Sequence, residues 1–584
     1  MQLRYVAILS DDGSAMAAMA AAVTASMGFV RVFAADRVTI LSNQPERCVD
    51  LHPGAGAILG HIFTGSPRSS VVHDMSPATT ETCLATDGET LITHYWGGYV
   101  AVLVHGDGRR VSVIRDPSGE LPCYHLHAGG TVVVGSDLDA MLATGIDRPP
   151  IDWAALADHL QAPNVPMART ALKSVSELLP GMRLTVAPGG SLGIDAVWSP
   201  WRFTRVPCEV RADLPERLQA VISDCVRAWG AQFASPLVSL SGGLDSSIVA
   251  ASLGAEARSF TAVNLLAGGP AGDERRYAQA VAERHAVALE VATLRVEDVD
   301  ICRASAALHP RPIGRCIGQA FDAAYDAIVA TGPADVILMG EGGDNVFCAL
   351  QSPTPAADRL LVEGWSRGFW GTLLDCRALT DSTLMTAAIW AFRKAYLAPR
   401  SYRWTWQRTL LAPDLARPIA GLGSVDGQVA PRGEVPGKLA HVAMLRRAQV
   451  RWHATGKTMT PIVSPLLAQP IMELCLSIPS WRWCETGVNR YPVRQAFASL
   501  LPSDVVHRRS KGSPDIFAAA VVRHNRNAIA ERLSEGLLAH AGLLDRKAVA
   551  DALSPAGLAL GNHMVRVLEL LEAEAWAREW SRTA

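Results

Sequence analysis

Neither sign of charge dominates this sequence. Its 584 residues include 54 Lys and Arg against 56 Asp and Glu, which leaves a formal net charge of −2. A chain without a basic surplus gives no electrostatic reason to expect nucleic-acid binding. Hydrophobic residues make up 49% of the chain and charged residues 19%, which excludes a disordered protein. We expect a compact globular protein with no nucleic-acid partner.

The sequence also lacks paired cysteines and long apolar runs. Its eleven cysteines are scattered singly from Cys48 to Cys484 with no Cys-x-x-Cys spacing, which fits buried thiols in a reducing cytosol. No stretch approaches the roughly twenty apolar residues that a membrane span requires. The alanine-rich segment from Ser14 to Val30 follows two aspartates and no basic region, so we predict an early buried helix there and no targeting signal. A cytoplasmic location without membrane contact follows.

The sequence changes character near residue 207. Before this point, β-branched and aromatic runs are separated by glycine turns, which predicts a meander of hairpins. Four such runs are 91–95, 99–104, 110–115 and 131–134. The proline- and glycine-rich stretch 180–207 indicates a last hairpin and a linker. Because the length exceeds what one core supports, we place one domain at 1–207 and a second at 208–584.

Helical and strand signals alternate from about residue 210. Predicted strands at 236–238, 258–265, 289–294 and 335–339 are separated by helical stretches, which is typical of a doubly wound, parallel α/β sheet. In such a sheet the ligand site lies at the carboxyl ends of the strands. Beyond residue 350, helical signals dominate as far as Trp580.

The most informative segment is 239–247, which reads Ser-Leu-Ser-Gly-Gly-Leu-Asp-Ser-Ser. Glycines and hydroxyls between a strand and a helix direct backbone N–H groups and the positive helix end at one spot, which suits a phosphate. It is not a Walker loop, because no Gly-Lys-Ser/Thr follows the glycines. Asp245 adds a carboxylate where a phosphate-bound magnesium needs an oxygen ligand. A glycine-rich turn without a ligand is the alternative.

A second acidic turn follows the predicted strand 335–339. The residues Gly340-Glu341-Gly342-Gly343-Asp344 should arrive at the same sheet edge as Asp245. Carboxylates from two neighbouring strand ends could then hold one or two magnesium ions on a triphosphate. Taken alone, this turn could equally be a solvated loop.

These motifs resemble those of the asparagine synthetase family. Its ATP-pyrophosphatase domain carries a Ser-Gly-Gly-Leu-Asp-Ser-Ser loop, an Asp-Glu-x-x-Tyr-Ala segment and a Gly-Glu-Gly-x-Asp turn, which are matched here by 241–247, 273–278 and 340–344. Three shorter matches follow in the family's order, at Ser464–Leu467, Tyr491–Arg494 and Arg509–Gly512. The resemblance implies an α/β ATP-pyrophosphatase domain (adenine nucleotide α-hydrolase-like) with a helical C-terminal extension, using ATP and Mg²⁺.

The first domain resembles the glutamine-hydrolysing Ntn domain of the same family. The runs 96–102 and 115–124 are similar to that domain's central hairpins, which implies an α+β, Ntn-type β-sandwich. The family's nucleophile is a cysteine at the amino terminus, whereas this chain reads Met-Gln-Leu-Arg-Tyr there and has no cysteine before Cys48. Glutamine hydrolysis then lacks a nucleophile, and we expect no ammonia supply.

A synthetase that adenylates a carboxylate without making ammonia must use an amine carried by its substrate. Relatives without the cysteine include the β-lactam and carbapenam synthetases, which close small rings. They also include the lasso peptide cyclases, which join a peptide's N-terminal amine to an Asp or Glu side chain. The chain length, the missing cysteine and Glu341, where the β-lactam enzymes often carry Tyr, favour a lasso peptide cyclase. Its partners would be a precursor or core peptide and a leader peptidase of the same pathway.

Other functions stay open at this point. They are a β-lactam or carbapenam synthetase-like small-ring cyclase, an ammonia-dependent asparagine synthetase, and a non-catalytic peptide-binding pseudoenzyme. An aromatic-rich helical section could hold a folded peptide, or its rings could simply pack the helices together. Its aromatic residues are Trp365, Trp370, Trp390, Tyr396, Tyr402, Trp404 and Trp406.

The resemblance implies a role for each matched residue. Backbone groups near Leu240 and Val263 would hold the adenosine, and Asp245 and Asp344 would ligate magnesium. Glu341 would take the proton of the attacking amine. The phosphates and the developing oxyanion would be neutralised by Lys511 and Arg494. Pyrophosphate would be cradled by Ser241, Gly242, Gly243, Asp245, Ser246, Ser247 and Gly340.

Two of these roles keep a structural alternative. Lys511 lies in a basic run that is typical of a solvated loop, and Glu341 could accept hydrogen bonds within its own turn. This sequence departs from the family pattern at two positions. Asn345 stands where an acidic residue usually follows Asp344, and Ala468 stands where Asp commonly follows Pro-Leu-Leu, so the contacts with the substrate should differ there. The first domain could form one wall of a peptide chamber or have a purely structural role.

Overall fold

The computed structural model describes most of the chain. The described residues are 2–52, 54–106, 108, 110–205, 213–255, 259–268, 273–305, 307, 309–314, 316–399, 404, 406–415, 430–450, 460–509, 515–561 and 563–582. The predicted domain boundary at 207/208 lies outside them.

Two six-stranded antiparallel sheets dominate the first 200 residues. One has the strand order β10-β8-β9-β1-β3-β2 and the other β12-β11-β7-β6-β5-β4. The strands are β1 (Tyr5–Leu9), β2 (Val30–Ala35), β3 (Val38–Ser42), β4 (Cys48–Leu51), β5 (Gly56–Thr64), β6 (Tyr95–Val104), β7 (Val111–Arg115), β8 (Tyr124–Ala128), β9 (Thr131–Gly135), β10 (Val175–Glu177), β11 (Met182–Val186) and β12 (Leu192–Ala196). Three of the four runs predicted as strands, 99–104, 110–115 and 131–134, correspond to β6, β7 and β9.

The two sheets pack face to face as a sandwich. Tyr5, Ala7 and Leu9 of β1 share one buried apolar cluster with Val100 and Val102 of β6 in the other sheet. Side chains at alternate positions of a strand point to opposite faces, so the remaining residues of β1 point away from the sandwich interior. They pack against helices on the outer side of the first sheet.

Six helices accompany these sheets. They are α1 (Gly13–Met27), α2 (Pro77–Ala85), α3 (Glu89–His94), α4 (Leu138–Leu142), α5 (Trp153–Gln161) and α6 (Trp201–Thr204). Two sequence expectations need correction. Residues 91–94 are helical, because Gly88 turns the chain at φ 84° and the short apolar run Leu91 and Ile92 packs into the core from a helix. The alanine-rich α1 is a helix as predicted, but it buries only Met16 and Val23.

A five-stranded parallel sheet forms the centre of the second part. Its strands are β13 (Pro236–Ser239), β14 (Thr261–Leu266), β15 (Ala288–Thr293), β16 (Val336–Met339) and β17 (Ile462–Val463). Their order is β15-β14-β13-β16-β17, with every pair parallel. The chain leaves β13 toward β14 on one side and later returns to place β16 on the other. The gap between the carboxyl ends of β13 and β16 is therefore a topological switch point, where such sheets bind ligands.

Helices surround this sheet and make up the rest of the described chain. They are α7 (Leu214–Gly230), α8 (Leu244–Gly254), α9 (Arg275–Arg284), α10 (Gly318–Thr331), α11 (Gly343–Val346), α12 (Thr354–Glu363), α13 (Arg367–Thr380), α14 (Leu384–Phe392), α15 (Pro436–Ala448), α16 (Gln469–Ser477), α17 (Tyr491–Ala496), α18 (Ser503–Val506), α19 (Asp515–His524), α20 (Arg526–Ser534), α21 (Leu537–His540), α22 (Arg546–Leu553), α23 (Pro555–Leu560) and α24 (Met564–Arg582). A π-helical turn, Arg393–Leu397, extends α14. None of the described helices has the length and apolar character to cross a membrane.

The two parts share one continuous core. Trp96 and Tyr99 of β6 belong to the same buried apolar cluster as Leu218 and Ile222 of α7. The first part therefore supports the helix that packs against α8, and α8 carries the glycine-rich loop of the candidate site.

Candidate active site

The two acidic turns meet at the switch point of the parallel sheet. Ser239 at the end of β13 pairs with Met339 at the end of β16, so both turns leave the sheet at the same level. The first turn leads into α8 and the second into α11. The expectation that Asp245 and Asp344 arrive at one edge is confirmed by this geometry.

Hydroxyl groups fix the shape of the first turn. The Ser246 hydroxyl accepts a hydrogen bond from the Ser241 backbone N–H at 3.2 Å, and the Ser247 hydroxyl donates to the Gly243 carbonyl at 2.7 Å. Ser241, Gly243 and Ser246 line the cavity above the turn. Ser247 is fully buried and Gly242 is not part of the cavity wall. These two residues therefore shape the turn, whereas the other three can contact a bound anion.

Three glycines allow the turns to approach closely. A Cβ atom on Gly340 would lie 2.4 Å from the Ser246 backbone nitrogen, and one on Gly343 would lie 2.4 Å from the Asp245 carboxyl carbon. Gly242 has a φ of +71°, and a Cβ there would lie 2.7 Å from the Tyr277 Cβ. Only glycine fits such contacts, which explains why glycine recurs in both turns.

An arginine that the sequence analysis missed joins the two turns. Arg490 Nη1 lies 2.8 and 2.9 Å from the two Asp245 carboxylate oxygens and 2.6 Å from Asp344 Oδ1. The Arg490 and Asp245 side chains are only 11% and 10% exposed, while Asp344 is 44% exposed. Arg490 has a φ of +56°, a left-handed conformation that is uncommon for a non-glycine residue and is found most often at functional sites.

The same contacts test whether the site suits magnesium. One cationic nitrogen already lies between the two predicted ligands, so the carboxylate pair attracts a positive charge at this point. Among the described residues, no group of three or more acidic, histidine or cysteine side chains could hold a metal ion by itself. Two carboxylates plus phosphate oxygens is a usual ligand set for Mg²⁺. The residues therefore fit a magnesium ion that arrives with a triphosphate.

The turns open into a cavity of about 580 Å³ that is rich in arginine. Four arginines line it together with three carboxylates, which come from the two turns. The arginines are Arg490, Arg494, Arg508 and Arg509. Guanidinium groups bind phosphate oxygens in pairs, so a cavity with this lining suits a polyphosphate.

The guanidinium of Arg494, which was predicted to neutralise phosphates, is bonded to the protein itself. Its guanidinium donates to the Asn489 carbonyl at 2.8 Å, to the Asn489 side-chain oxygen at 3.0 Å and to the Val506 carbonyl. Burial, with a contribution from the neighbouring Arg490 charge, lowers the pKa of Arg494 to about 10. Arg494 therefore fixes the segment that carries Arg490, and it adds positive charge to the wall of the cavity.

Arg508 connects the first turn to the Asp-Glu-x-x-Tyr-Ala segment. Its guanidinium carbon lies 4.1 Å from the centre of the Tyr277 ring, and Nη1 donates to the Gly242 carbonyl at 3.0 Å. It also forms an ion pair with Glu274. Arg508 thus connects the segment 273–278 to the glycine-rich loop, and this segment helps to hold the loop in place.

Two further predicted site residues, Leu240 and Val263, are bonded to each other at the sheet. The Leu240 N–H donates to the Val263 carbonyl at 2.8 Å, and the Leu240 carbonyl accepts from Asn264. Both backbone groups of Leu240 thus have partners, the carbonyl through the side-chain amide of Asn264, and neither Leu240 nor Val263 is part of the cavity wall. Lys511 lies outside the described residues.

Glu341 and Asn345 of the second turn have different surroundings. Glu341 is exposed and lines the mouth of the cavity. The Asn345 side-chain amide donates to the Met444 carbonyl at 2.7 Å, which ties the turn to α15. The departure at Asn345 thus has a structural use. Ala468, the other departure, is buried between the Pro-Leu-Leu turn and α16.

The aromatic-rich section exposes most of its rings. Trp365, Trp370, Trp390, Tyr396 and Trp406 are 63, 48, 48, 51 and 38% exposed, so the view that they are core packing residues is wrong for these five. Trp404 alone is buried, at 6%, and Tyr402 lies outside the described residues. Large apolar side chains in such numbers on a surface typically mark a binding face.

Sequence comparison identifies the family. Residues 217–578, more than half of the chain, match the family profile described as asparagine synthase. The chain belongs to the asparagine synthase family. This asparagine synthase-family protein is accordingly an ATP-dependent ligase that forms an amide through adenylation and releases AMP and pyrophosphate. Residues 76–195 match the profile of a glutamine amidotransferase domain, which agrees with the predicted nature of the first part.

Other comparisons add little. No curated protein gives a significant match. Among solved structures, the chain is similar to glutamine phosphoribosylpyrophosphate amidotransferase from B. subtilis complexed with ADP and GMP, at 10% identity and a TM-score of 0.21. It is also similar to the allosteric regulatory enzyme of purine biosynthesis, at 11% identity and a TM-score of 0.20. Each match covers 50% of this chain and 80% of the other, and TM-scores this low support no conclusion.

Proposed function

We propose that this asparagine synthase-family ligase is a lasso peptide cyclase. It adenylates an Asp or Glu side-chain carboxylate of a precursor peptide and joins it to the N-terminal amine of the same peptide, with ATP as substrate. The observation that carries the proposal is a contrast between the two parts of the chain. The second part has a large cavity equipped for a nucleotide, while burial raises the pKa of each described cysteine of the first part, Cys48, Cys83 and Cys123.

The surroundings of Gln2 and of Cys48 support the second half of this contrast. The cavity beside Gln2 is only about 60 Å³, and its wall includes the ring of His61, which contacts the rings of Trp229 and Phe233. The first cysteine, Cys48, is no substitute, because burial raises the pKa of its thiol to about 12 and keeps it protonated. An amine carried by the substrate replaces ammonia.

The activation step uses the arginine-rich cavity. The peptide carboxylate attacks the α-phosphorus of ATP, the bond to the β-phosphate oxygen breaks, and pyrophosphate leaves. Ser241, Gly243 and the start of α8 bind the phosphates through backbone N–H groups and hydroxyls. Arg490 and Arg508 neutralise the charge that develops on the leaving group. Asp245 and Asp344 would hold Mg²⁺, which would supply further positive charge to the phosphates.

The second step forms the amide. The N-terminal amine attacks the activated carbonyl, AMP leaves, and one proton must be removed from the amine nitrogen. Glu341 would accept this proton, and its exposure at the cavity mouth, where a peptide would enter, supports that role. Lys511 would stabilise the oxyanion, and the exposed rings on α13 and α14 would hold the folded peptide. A leader peptidase would deliver that peptide with a free amine.

The test is a reconstitution with ATP, Mg²⁺ and linear peptides that carry Asp or Glu near position eight or nine. We expect AMP, pyrophosphate and a cyclic product lighter by one water. Asp245→Asn should abolish AMP formation, whereas Glu341→Gln should reduce ring closure while ATP–pyrophosphate exchange continues. Formation of asparagine from free aspartate and ammonia, with no reaction of any peptide, would contradict the proposal. A small-ring product from a β-amino acid would instead favour a β-lactam synthetase-like activity.

A further inference from the structure

A second cavity of about 400 Å³ lies beside the same helix that borders the nucleotide cavity. Ala440 of α15 lines the second cavity, and Met444, one turn further along the same helix face, lines the nucleotide cavity. Asn345 of the acidic turn bonds to the Met444 carbonyl, so α15 is fixed relative to the site of activation. The two cavities therefore follow one another along a single helix face.

The chemistry of the second cavity indicates the ligand class. Its wall combines the half-exposed ring of Trp390 with Leu397 and Leu439, and it contains two cations, Arg393 and Lys394. The Arg393 guanidinium carbon lies 5.2 Å from the centre of the Trp390 ring. Among the described residues that line this cavity, none is acidic. An apolar surface beside positive charge complements a ligand with a bulky apolar group and a carboxylate.

The backbone of this wall is unusual. Residues Arg393–Leu397 form a π-helical turn, in which the Ala398 N–H donates to the Arg393 carbonyl at 2.8 Å. Isolated π-helical turns are rare and occur frequently at functional sites, because they change which side chains share a helix face. Here the turn places Arg393, Lys394 and Leu397 together in the cavity wall.

We infer that the second cavity binds a part of the peptide substrate that does not react: a bulky apolar residue next to an acidic one. The inference rests on the proposed function, which supplies the peptide. The residues of α15 that line the second cavity run from Pro436 to Ala443, at most about 12 Å along the helix axis from Met444. The anchored residue should thus lie within about four extended residues of the carboxylate that is adenylated.

The first test measures binding of three defined dipeptides to the full chain: N-acetyl-Trp-Glu-amide, N-acetyl-Trp-Gln-amide and N-acetyl-Ala-Glu-amide. We expect the first to bind about tenfold more tightly than either of the others, since each lacks one recognised group. The double substitution Arg393→Glu/Lys394→Glu should remove the preference for Glu over Gln. Arg377→Glu, an exposed charge reversal on α13, is the matched control and should change nothing. Equal binding of all three dipeptides would overturn the inference.

The second test locates the site and keeps the inference falsifiable if a variant folds poorly. A photoreactive dipeptide with benzoylphenylalanine in place of Trp should label α14 or α15 of the unmodified protein, and Ala440→Trp should block the labelling by filling the cavity. Labelling of another part of the chain, or labelling that disappears when the chain self-associates, would overturn the inference. If wild type and Ala440→Trp cyclise a peptide with equal KM, the inference fails and the proposed function stands. If the dipeptides bind but no peptide is cyclised, only the proposed function fails.

Discussion

The substitution Arg490→Gln removes the cation that joins the two acidic turns. It takes away the guanidinium that lies between Asp344 and Asp245, whose side chain is only 10% exposed. Loss of one partner of a buried ion pair costs about 3 to 5 kcal/mol, and the partial exposure of Asp344 places the effect near the lower value. We expect the variant to be destabilised by about 3 kcal/mol in buffer without divalent ions.

Magnesium should reverse most of this loss. An ion bound by the freed carboxylate pair at a hundred times its Kd stabilises the folded state by about 2.7 kcal/mol, close to the cost of the substitution. The assay is thermal unfolding of wild type and variant with and without MgCl₂, with KCl added to hold the ionic strength constant. Wild type should respond little, because Arg490 already occupies the position between the carboxylates.

Arg482→Gln is the matched control. Arg482 pairs with Glu485 at 2.9 Å, with both side chains 25% exposed and far along the chain from either turn. A half-buried pair that is this much more accessible to water than Arg490 and Asp245 contributes about 1 kcal/mol and should show no magnesium response. The reasoning is refuted if Arg490→Gln unfolds like Arg482→Gln, or if magnesium raises the unfolding temperature of all three proteins equally.

Three further predictions concern the turns and the core beneath them. Gly340→Ala should lower the free energy of unfolding by about 1 to 3 kcal/mol and weaken ATP binding, because its Cβ would lie 2.4 Å from the Ser246 nitrogen. The control Gly371→Ala has open space around it and should be neutral or stabilising. Equal effects of the two substitutions in calorimetric titration with ATP would be evidence against the contact. Arg508→Met should raise the KM for ATP in pyrophosphate exchange about tenfold. Arg508→Lys should have an intermediate KM, because it keeps the charge and loses the planar stacking on Tyr277. An equal rise in KM for both variants would show that stacking, not charge, dominates. Burial lowers the pKa of His441 to about 3, so below pH 6.5 the unfolded chain takes up a proton that the folded protein does not, and stability falls as the pH falls. His441→Gln keeps a donor for the Val346 carbonyl and should reduce this dependence by about 1.4 kcal/mol per pH unit between about pH 4 and 6, measured by denaturant unfolding; an unchanged slope would mean that His441 is already charged when folded.

The parts of the site that could be predicted from sequence are those with local signals. The turn 239–247 and the turn 340–344 each combine glycines with acids directly after an apolar strand, and the parallel sheet order then requires them to meet. The alternation of strands and helices between 210 and 340 is likewise a local pattern. It predicted a parallel sheet with a ligand site at the carboxyl ends of its strands, but not the strand order that places β16 beside β13.

Contacts between distant segments could not be predicted in this way. Arg490 and Asp245 are separated by 245 residues, and nothing in the sequence around Arg490 signals an acidic partner. The exposure of Trp365 and Trp370 depends on which face of α13 packs on its neighbours, which a count of aromatic residues does not reveal. The helix at Leu91 and Ile92 was mistaken for a strand because short apolar runs fit both periods.

The central claim is that one peptide supplies both the carboxylate and the amine. The most direct measurement uses a linear peptide whose acidic side chain carries a heavy oxygen isotope, incubated with the protein, ATP and magnesium but without ammonia or glutamine. We predict that the isotope is transferred to AMP, in step with the formation of a cyclic peptide. Transfer to inorganic phosphate, or AMP formation only when ammonia is added, would contradict the account.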